Sequence, residues 1–394
     1  MQRTFHRDRF TWLAYFALAF YGYFLNVLGP ITPFIKDELQ LTYTISSLHF
    51  TAFAVGILLI GIAGHTLIRR IGRLRSLWLG LFGMSLSAVL LLLGKSPAIT
   101  IGASFLMGLV GSLILAIVPA ALSDQHGELR AVALSEANVI ASLLATFAPL
   151  MVGWFARSFD SWRLPLWIMS LFPLLLLIGF GRNASSHADV NVEEPIPSKA
   201  SLPTLFWLYW VAIVLGVSVE FCMIFWSADY MEQVLGLIKA DAAQAVSLFL
   251  AAMIVGRIVG SRLVQRFSTR GVVTVSIVIA GIGFLLFWRG ENSAVGLTGL
   301  FLSGLGVASL YPLLLSLAIG AANGNTVQAG ARATLASGTA ILLLPLALGR
   351  LADAAGIRSA YGVVLILLIS VFMINQIAGR NSSILNKRTE PTRD

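Results

Sequence analysis

The sequence is poor in charge and almost free of cysteine. Only 11% of its 394 residues are Asp, Glu, Lys or Arg, less than half of the roughly 25% that is usual in soluble domains. A soluble protein of this length would carry charge on every exposed face, so the composition excludes an ordinary soluble globule. The single cysteine, Cys222, excludes a disulfide framework and a cysteine-based metal site.

The sequence also lacks the motifs of catalytic and channel proteins. Its histidines are scattered, among them His49, His65 and His126, and none forms an H-E-x-x-H pair. No selectivity-filter loop or repeated charged ring is present, which disfavours a gated channel. We therefore expect no enzyme activity, no cofactor and no metal site.

Long apolar runs fill most of the chain. Hydrophobic residues make up 57% of it, with a mean hydropathy of +0.86. Runs of about 20 residues are long enough to cross a bilayer as helices. The pattern predicts an all-α integral membrane protein with twelve transmembrane helices, near residues 10–35, 43–68, 76–94, 97–122, 131–156, 163–181, 204–230, 242–265, 272–288, 294–319, 329–353 and 359–378.

Basic residues mark one side of the predicted bundle. The net charge is +9, but Lys and Arg mostly flank the apolar runs, so membrane topology explains them better than nucleic-acid binding does. They concentrate at the N-terminus, in the loop at 69–75 and at the C-terminus, whereas the alternate connections hold fewer, Lys36 among them. This bias predicts a multi-pass protein of the inner or plasma membrane with both termini in the cytoplasm.

The chain divides into two similar halves. Residues 182–203 are polar and rich in Pro and Ser, which is typical of a linker. They separate a six-helix bundle at 1–181 from a second at 204–394. An offset of 196 residues aligns small and basic landmarks of the halves: Gly64 with Gly260, Arg70 with Arg266, Gly108 with Gly304, Pro149 with Pro345 and Gly153 with Gly349. Six-span repeats of this kind are found in secondary transporters.

Two cytoplasmic loops resemble those of the major facilitator superfamily. The family carries G-x-L-a-D-R-x-G-R-K between spans two and three, and residues 64–73 read GHTLIRRIGR, with Arg69 at the acidic position. After span four, Asp124 and Arg130 resemble the family's acidic-x-basic arrangement. The resemblance implies two pseudo-symmetric six-helix bundles and a conformational role for these loops, carried by Gly64, Arg70, Gly72, Arg73, Asp124 and Arg130.

Span five bears a weaker likeness. Residues 145–153 read ATFAPLMVG, similar to the family's antiporter motif G-x-x-x-G-P-x-x-G-G, with Pro149 and Gly153 as its identical positions. The direction of transport therefore stays open at this point.

Glu220 is the strongest functional candidate. It lies near the middle of span seven, and no other carboxylate is predicted to lie as deep. An ionisable residue there costs at least roughly 2.5–3.5 kcal/mol, so it needs a reason. A carboxyl group in such surroundings is suited to exchange protons, and the resemblance implies that span seven lines the central cavity. We interpret Glu220 as a proton-coupling or substrate-binding residue; a glutamate that only packs the bundle is the alternative.

Three arginines and one further glutamate are candidates for binding and gating. Arg257, in span eight, is suited to an anionic group but could equally be a structural counter-ion. By family analogy spans five and eight face each other, so Glu136 could pair with Arg257 or Arg262 and latch the cytoplasmic side in the outward-open state. Arg332 would be a second gate residue, unless it only extends towards the membrane interface.

Aromatic and amide side chains suggest the kind of solute. Tyr23, Asn26, Trp226 and Tyr311 lie on presumed cavity helices, where rings and an amide suit a sugar or another ring-bearing molecule. The sequence thus predicts a monomeric, proton-coupled secondary transporter of a small organic solute that works by alternating access. A passive facilitator on the same fold is the alternative.

Overall fold

The chain folds into helices only, throughout the part that the structure describes. The structure is a computed structural model, and it describes residues 5–181, 202–322 and 325–389. The predicted linker lies almost entirely outside the described residues. The α-helices are α1 (Arg9–Glu38), α2 (Tyr43–Ile71), α3 (Arg73–Leu93), α4 (Pro97–His126), α5 (Arg130–Phe159), α6 (Leu164–Ser170), α7 (Phe172–Phe180), α8 (Thr204–Gln233), α9 (Lys239–Leu263), α10 (Thr269–Arg289), α11 (Ser293–Val307), α12 (Leu310–Gly320), α13 (Thr326–Ala355), α14 (Ile357–Ala360) and α15 (Gly362–Thr389).

These helices trace the twelve predicted passes. Spans six, ten and twelve are each broken into two helices, namely α6 with α7, α11 with α12 and α14 with α15. Pro173 follows the first break and Pro312 the second, and proline cannot donate the backbone hydrogen bond that would continue a helix. The prediction of an all-helical twelve-pass membrane protein is confirmed.

Several helices run beyond the apolar segments that predicted them. Helix α1 continues to Glu38, so Lys36 lies inside a helix and is buried, contrary to the prediction that placed it in a connection. The side chain pairs with a carboxylate on another helix, which offsets part of the cost of burying its charge. The pattern of apolar residues along the chain does not reveal a partner on another helix.

Two ends of the bundle must be distinguished. We call the end where α1 begins, α5 begins and α9 ends the terminal face, and the end where α1 ends, α9 begins and α13 ends the opposite face. Between the two halves, α1 packs on α8, α2 on α13 and α5 on α9. The last two contacts are equivalent under the repeat.

Equivalent glycines of the two halves occupy equivalent close helix crossings. A Cβ atom at Gly108 would collide with the carbonyl oxygen of Phe53, and one at Gly304 would collide with that of Phe249. These two crossings are separated by the same 196 residues that align the sequences of the halves. Helices approach this closely in membranes where small residues let their backbones meet.

Candidate functional site

At the opposite face, a buried ion pair joins the two halves. Lys36 Nζ of α1 lies 2.5 Å from Asp229 Oδ1 of α8, and the Asp229 side chain is fully buried. The Lys36 ammonium also lies 4.2 Å from the centre of the Tyr43 ring. Burial strengthens the attraction between these charges and makes the loss of either partner costly.

Further contacts join the halves around this pair. Arg157 Nη1 lies 2.8 Å from Asp241 Oδ1, and Lys239 pairs with Asp37. Asp353 of α13 accepts the backbone N–H groups of Tyr43 and Thr44 at 2.8 Å each, which caps the start of α2 from the other half. Apolar contacts add to the seal, since the rings of Phe50 and Phe225 stack with centroids 4.1 Å apart.

Close helix crossings complete the seal at this face. A Cβ atom at Gly153 of α5 would collide with the carbonyl oxygen of Ala240 in α9, and one at Gly349 of α13 would lie 2.8 Å from that of Tyr43. The two glycines are repeat equivalents, so the same feature closes the interface on both sides. The opposite face is therefore closed.

The terminal face is held together differently. Arg7 Nη2 lies 2.6 Å from Glu136 Oε1, and the Tyr15 hydroxyl donates to Glu136 at 3.1 Å. Arg73 Nη1 lies 2.6 Å from Asp124 Oδ2. In the described part of the chain, both of these ion pairs stay within the N-terminal half. The hydrogen bonds to Glu136 raise the pKa of the Arg7 guanidinium above its ordinary value.

A cavity of about 220 Å³ lies between the halves. Helices α1, α4 and α5 form one wall and α8 and α9 the other, and Glu220 and Arg257 both line it. Arg257 Nη2 lies 3.8 Å from Glu220 Oε1, and Arg257 Nη1 donates to Ser142 Oγ at 3.3 Å. Arg257 thus contacts a carboxylate in its own half and a hydroxyl in the other.

The charged pair breaks the symmetry of the repeat. The positions that match Glu220 and Arg257 in the N-terminal half are Phe24 and Gly61. Phe24 is fully buried in the core. The ion pair therefore has no charged counterpart in the N-terminal half.

Of the aromatic and amide residues predicted to contact the solute, which are Tyr23, Asn26, Trp226 and Tyr311, only Asn26 lines this cavity. Its amide donates to the carbonyl of Gly22 at 2.8 Å. Tyr23 faces away, and its hydroxyl donates to the Pro165 carbonyl at 3.4 Å. Trp226 is fully buried and donates to the Pro345 carbonyl at 3.1 Å. Tyr311 lies within electrostatic range of Glu220 and near Ser337, without lining the cavity.

The predicted gate residues do not meet in this conformation. Glu136 binds Arg7 and Tyr15 of its own half, where a pairing with Arg257 or Arg262 was predicted. This arrangement belongs to the conformation in which the opposite face is closed. Arg262 is exposed in the last turn of α9, and Arg332 is exposed, with its carbonyl accepting from Trp210 at 2.8 Å.

Two of the predicted loop residues form an ion pair. Arg73 and Asp124 are brought together in an ion pair between the start of α3 and the end of α4. Gly72 joins α2 to α3 with φ of 91°, a value that favours glycine. Gly64 is buried within α2, whereas Arg70 and Arg130 are exposed. The structure therefore links one acidic and one basic residue of the two loops.

Sequence reasoning missed the buried carboxylate at the opposite face. Asp229 is fully buried near the end of α8, whereas Glu220 lies near the middle of the same helix. A signal was present, because spans one and seven are repeat equivalents and carry opposite charges near the same end. The polar residues Asn138, Ser142 and Thr146 of the cavity wall were also missed, since short polar side chains are common in membrane helices.

The two six-helix halves, the cavity between them and one closed face define a membrane transporter. The chain belongs to the Major Facilitator Superfamily, whose family model matches residues 14–322 and 208–394. The predicted family resemblance is thereby confirmed.

Curated relatives are transporters of the same kind. The chain is 24% identical to the glucose/mannose transporter GlcP of Bacillus subtilis over 76% of its own length and 78% of that protein. It is 30% identical to the transporter y4wD of Sinorhizobium fredii, but over 48% of this chain and about half, 49%, of that protein.

Solved structures share the fold. A bacterial homolog of the human lysosomal transporter Spinster, in an inward-facing and unoccupied conformation, aligns with a TM-score of 0.76 at 15% identity, covering 95% of this chain and 97% of that one. The peptide transporter POT in complex with sulfate aligns with a TM-score of 0.77 at 16% identity, covering 96% and 97%. At these identities the likeness extends to the fold alone.

Proposed function

We propose that this protein is a proton-coupled secondary transporter that moves a small polar organic solute by alternating access. The observation that carries the proposal is the Glu220–Arg257 pair, 3.8 Å apart in a cavity between the halves. A carboxyl group that gains a proton no longer attracts the arginine, so protonation changes the charge that a solute meets. One site can thereby link solute binding to proton binding.

The size of the cavity supports a small solute. Its volume of about 220 Å³ is below the roughly 300–1,000 Å³ of pockets for drug-sized ligands. Amide and hydroxyl groups of Asn26, Asn138, Ser142 and Thr146 line it beside the charged pair. These groups suit a hydroxylated molecule, in keeping with the glucose/mannose relative.

The terminal face is the cytoplasmic one in this proposal. It carries the arginine-rich loop at 69–75, the start of α1 and the end of α15, and basic residues favour the cytoplasmic side. The conformation described above is then open or opening towards the cytoplasm and closed to the outside. The protein would act as a monomer in the cell membrane.

Closure of the terminal face would rearrange its ion pairs. We propose that Glu136 then exchanges Arg7 for Arg262 or Arg257 across the halves, with Arg332 contributing from α13. Glu136 supports this role because it lies on α5, which packs against α9, the helix that carries both arginines.

Proton flux into liposomes tests the coupling. The purified protein is reconstituted with an entrapped pH-sensitive dye, and a panel of sugars, organic acids and nucleosides is added with and without an imposed pH gradient. A coupled solute acidifies or alkalises the lumen and accumulates against its gradient. Glu220→Gln should abolish gradient-driven accumulation while keeping solute exchange.

The matched control is Glu128→Gln, which removes an exposed carboxylate from the turn between α4 and α5. It should leave both readouts unchanged. Unaltered accumulation in Glu220→Gln would refute coupling through this residue. Uptake that only equilibrates the solute in the parental protein would instead favour the passive facilitator.

A further inference from the structure

Most of the hydrogen-bonding capacity of Arg257 is unused. Its guanidinium has five N–H donors, and in the described part of the chain it makes one hydrogen bond, to Ser142 at 3.3 Å. Its distance of 3.8 Å to Glu220 is too long for a hydrogen bond. The side chain is 45% exposed and lines the cavity. Arg257 can therefore still bind a planar anion with paired N–H donors.

Glu220 is similarly under-used. Neither of its oxygen atoms accepts a hydrogen bond from any described residue, and 16% of its side chain is exposed, at the cavity wall. An ion pair that is partly buried without hydrogen bonds adds little stability, because desolvation offsets the attraction. The loose geometry of the pair thus leaves room for a group that competes with Glu220 for Arg257.

The remaining polar groups of the cavity offer acceptors. The amide nitrogens of Asn26 and Asn138 each donate at 2.8 Å to a carbonyl of their own helix, and the Thr146 hydroxyl does the same at 2.8 Å. In both asparagines the Oδ1 atom is left to accept a hydrogen bond. Acceptors of this kind match the hydroxyl groups of a solute.

We propose that the transported solute is a small hydroxylated carboxylate, whose carboxylate binds Arg257 in place of Glu220 while Glu220 carries a proton. The inference rests on the proposed function and deepens it by naming the substrate class. The Glu220 oxygen gains the proton and no other covalent bond changes. In the empty cavity the negative partner of Arg257 is ionised Glu220. In the loaded cavity Glu220 is protonated and the solute carboxylate is the negative partner, so the net charge of the cavity is the same in both states.

Other titratable groups near the site do not change this charge balance. Tyr21 lines the cavity from α1, and Tyr311 lies in electrostatic range of Glu220 from α12. Both are neutral phenols at physiological pH. The cavity walls from α4 and α5 contribute Leu115 and uncharged polar or small residues. The charge that a solute meets is therefore set by Glu220 and Arg257.

Binding to matched acids and neutral molecules tests the substrate class. The purified full-length protein in detergent is titrated with sodium gluconate against glucose and with sodium glycerate against glycerol, at about pH 5 and about pH 8. Ligand-induced thermal shifts report binding. We expect binding of at least one acid, about tenfold tighter at the lower pH, and no comparable binding of its neutral partner.

Two variants assign the roles. Arg257→Gln should remove acid binding, and Glu220→Gln, which mimics the protonated side chain, should bind the acid equally well at both pH values. Arg266→Gln removes an exposed arginine just beyond α9 and should bind like the parental protein. If Arg257→Gln fails to fold, Ser142→Ala provides a milder test. It removes the hydroxyl that holds Arg257 and should weaken acid binding in part.

The outcomes separate this inference from the proposed function. Proton uptake driven by a neutral sugar, without binding of either acid, would overturn the carboxylate and leave the coupled transporter intact. Acid binding that needs Arg257 but moves no proton would support the substrate class and refute the coupling. Failure of both acids to shift the unfolding temperature at either pH would overturn the inference.

Discussion

The two faces of the bundle are held by different kinds of contact. At the opposite face, Lys36–Asp229, Asp37–Lys239 and Arg157–Asp241 join one half to the other. At the terminal face, the ion pairs Arg7–Glu136 and Arg73–Asp124 stay within one half. Only contacts between the halves resist their separation. The molecule is therefore closed at the opposite face, and these contacts between the halves must break when that face opens.

The largest expected effect comes from the buried pair. Asp229→Asn leaves the Lys36 ammonium buried without its counter-ion, which costs the closed conformation about 3–5 kcal/mol. We expect the opposite face to open. The measurement is maleimide labelling of Ser47→Cys, a fully buried position at the crossing of α2 and α13, in a Cys222→Ala background.

Two controls sharpen this prediction. Asp241→Asn breaks a pair on the same face whose side chains are 64% and 37% exposed. The closed conformation should lose about 1 kcal/mol or less, so labelling should change little. Lys36→Gln combined with Asp229→Asn removes both charges and should restore much of the protection. Unchanged labelling in Asp229→Asn alone would show that the pair does not hold this face closed.

A smaller effect is expected at the glycine crossing. Gly153→Ala places a methyl group against the backbone of α9 at Ala240, and overpacking of this kind costs roughly 1–3 kcal/mol. The strain exists only when the face is closed, so labelling of Ser47→Cys should rise. Gly349→Ala should act alike because the two positions are repeat equivalents.

The matched control is Gly102→Ala on α4. A Cβ atom there meets no heavy atom within 4 Å. Labelling in this variant should equal that of the parental protein. If Gly102→Ala and Gly153→Ala behaved identically, the close crossing would not contribute to closure.

The smallest expected effect concerns the terminal face. Glu136 and Arg262 are both accessible, so their pairing across the halves should contribute about 1 kcal/mol or less. We expect this coupling only when the terminal face closes. A double-mutant cycle of Glu136→Gln and Arg262→Gln, read as Ser47→Cys labelling, should therefore show coupling in the Asp229→Asn background and none in the unmodified protein.

Charge reversal provides an independent check. Glu136→Arg and Arg262→Glu should each impair transport alone, and their combination should restore it. Absence of rescue in this combination would remove the Glu136–Arg262 latch from the mechanism.

Much of the fold was predictable because it depends on local chemistry. Runs of apolar residues long enough to cross a bilayer determine the helices, and their twelve positions follow from hydropathy alone. The repeat was also predictable from the sequence, because equivalent positions such as Gly153 and Gly349 must both be small where helix backbones come close together. The ends of the helices were less predictable, as Lys36 illustrates, because a charged residue can lie buried within a helix when a distant part of the fold supplies its partner.

The candidate site was only partly predictable. Glu220 and Arg257 stood out because charges are rare within the spans, and the structure brings them to one cavity. Tyr23 and Trp226 carried the same aromatic signal as cavity residues but face other helices. A single sequence does not reveal the rotation of a helix whose surface is apolar all round. Asp229 was missed because its partner lies 193 residues away.

By itself, the sequence determined that this protein is a twelve-pass membrane bundle of two related halves with a carboxylate and an arginine in its second half. Those features follow from the cost of exposing charge to lipid and from repeated small residues. The tertiary structure alone decided which charges pair, which face is closed and which polar side chains share a cavity. Such pairings depend on the relative positions of helices far apart in the chain, which are set by packing between the halves.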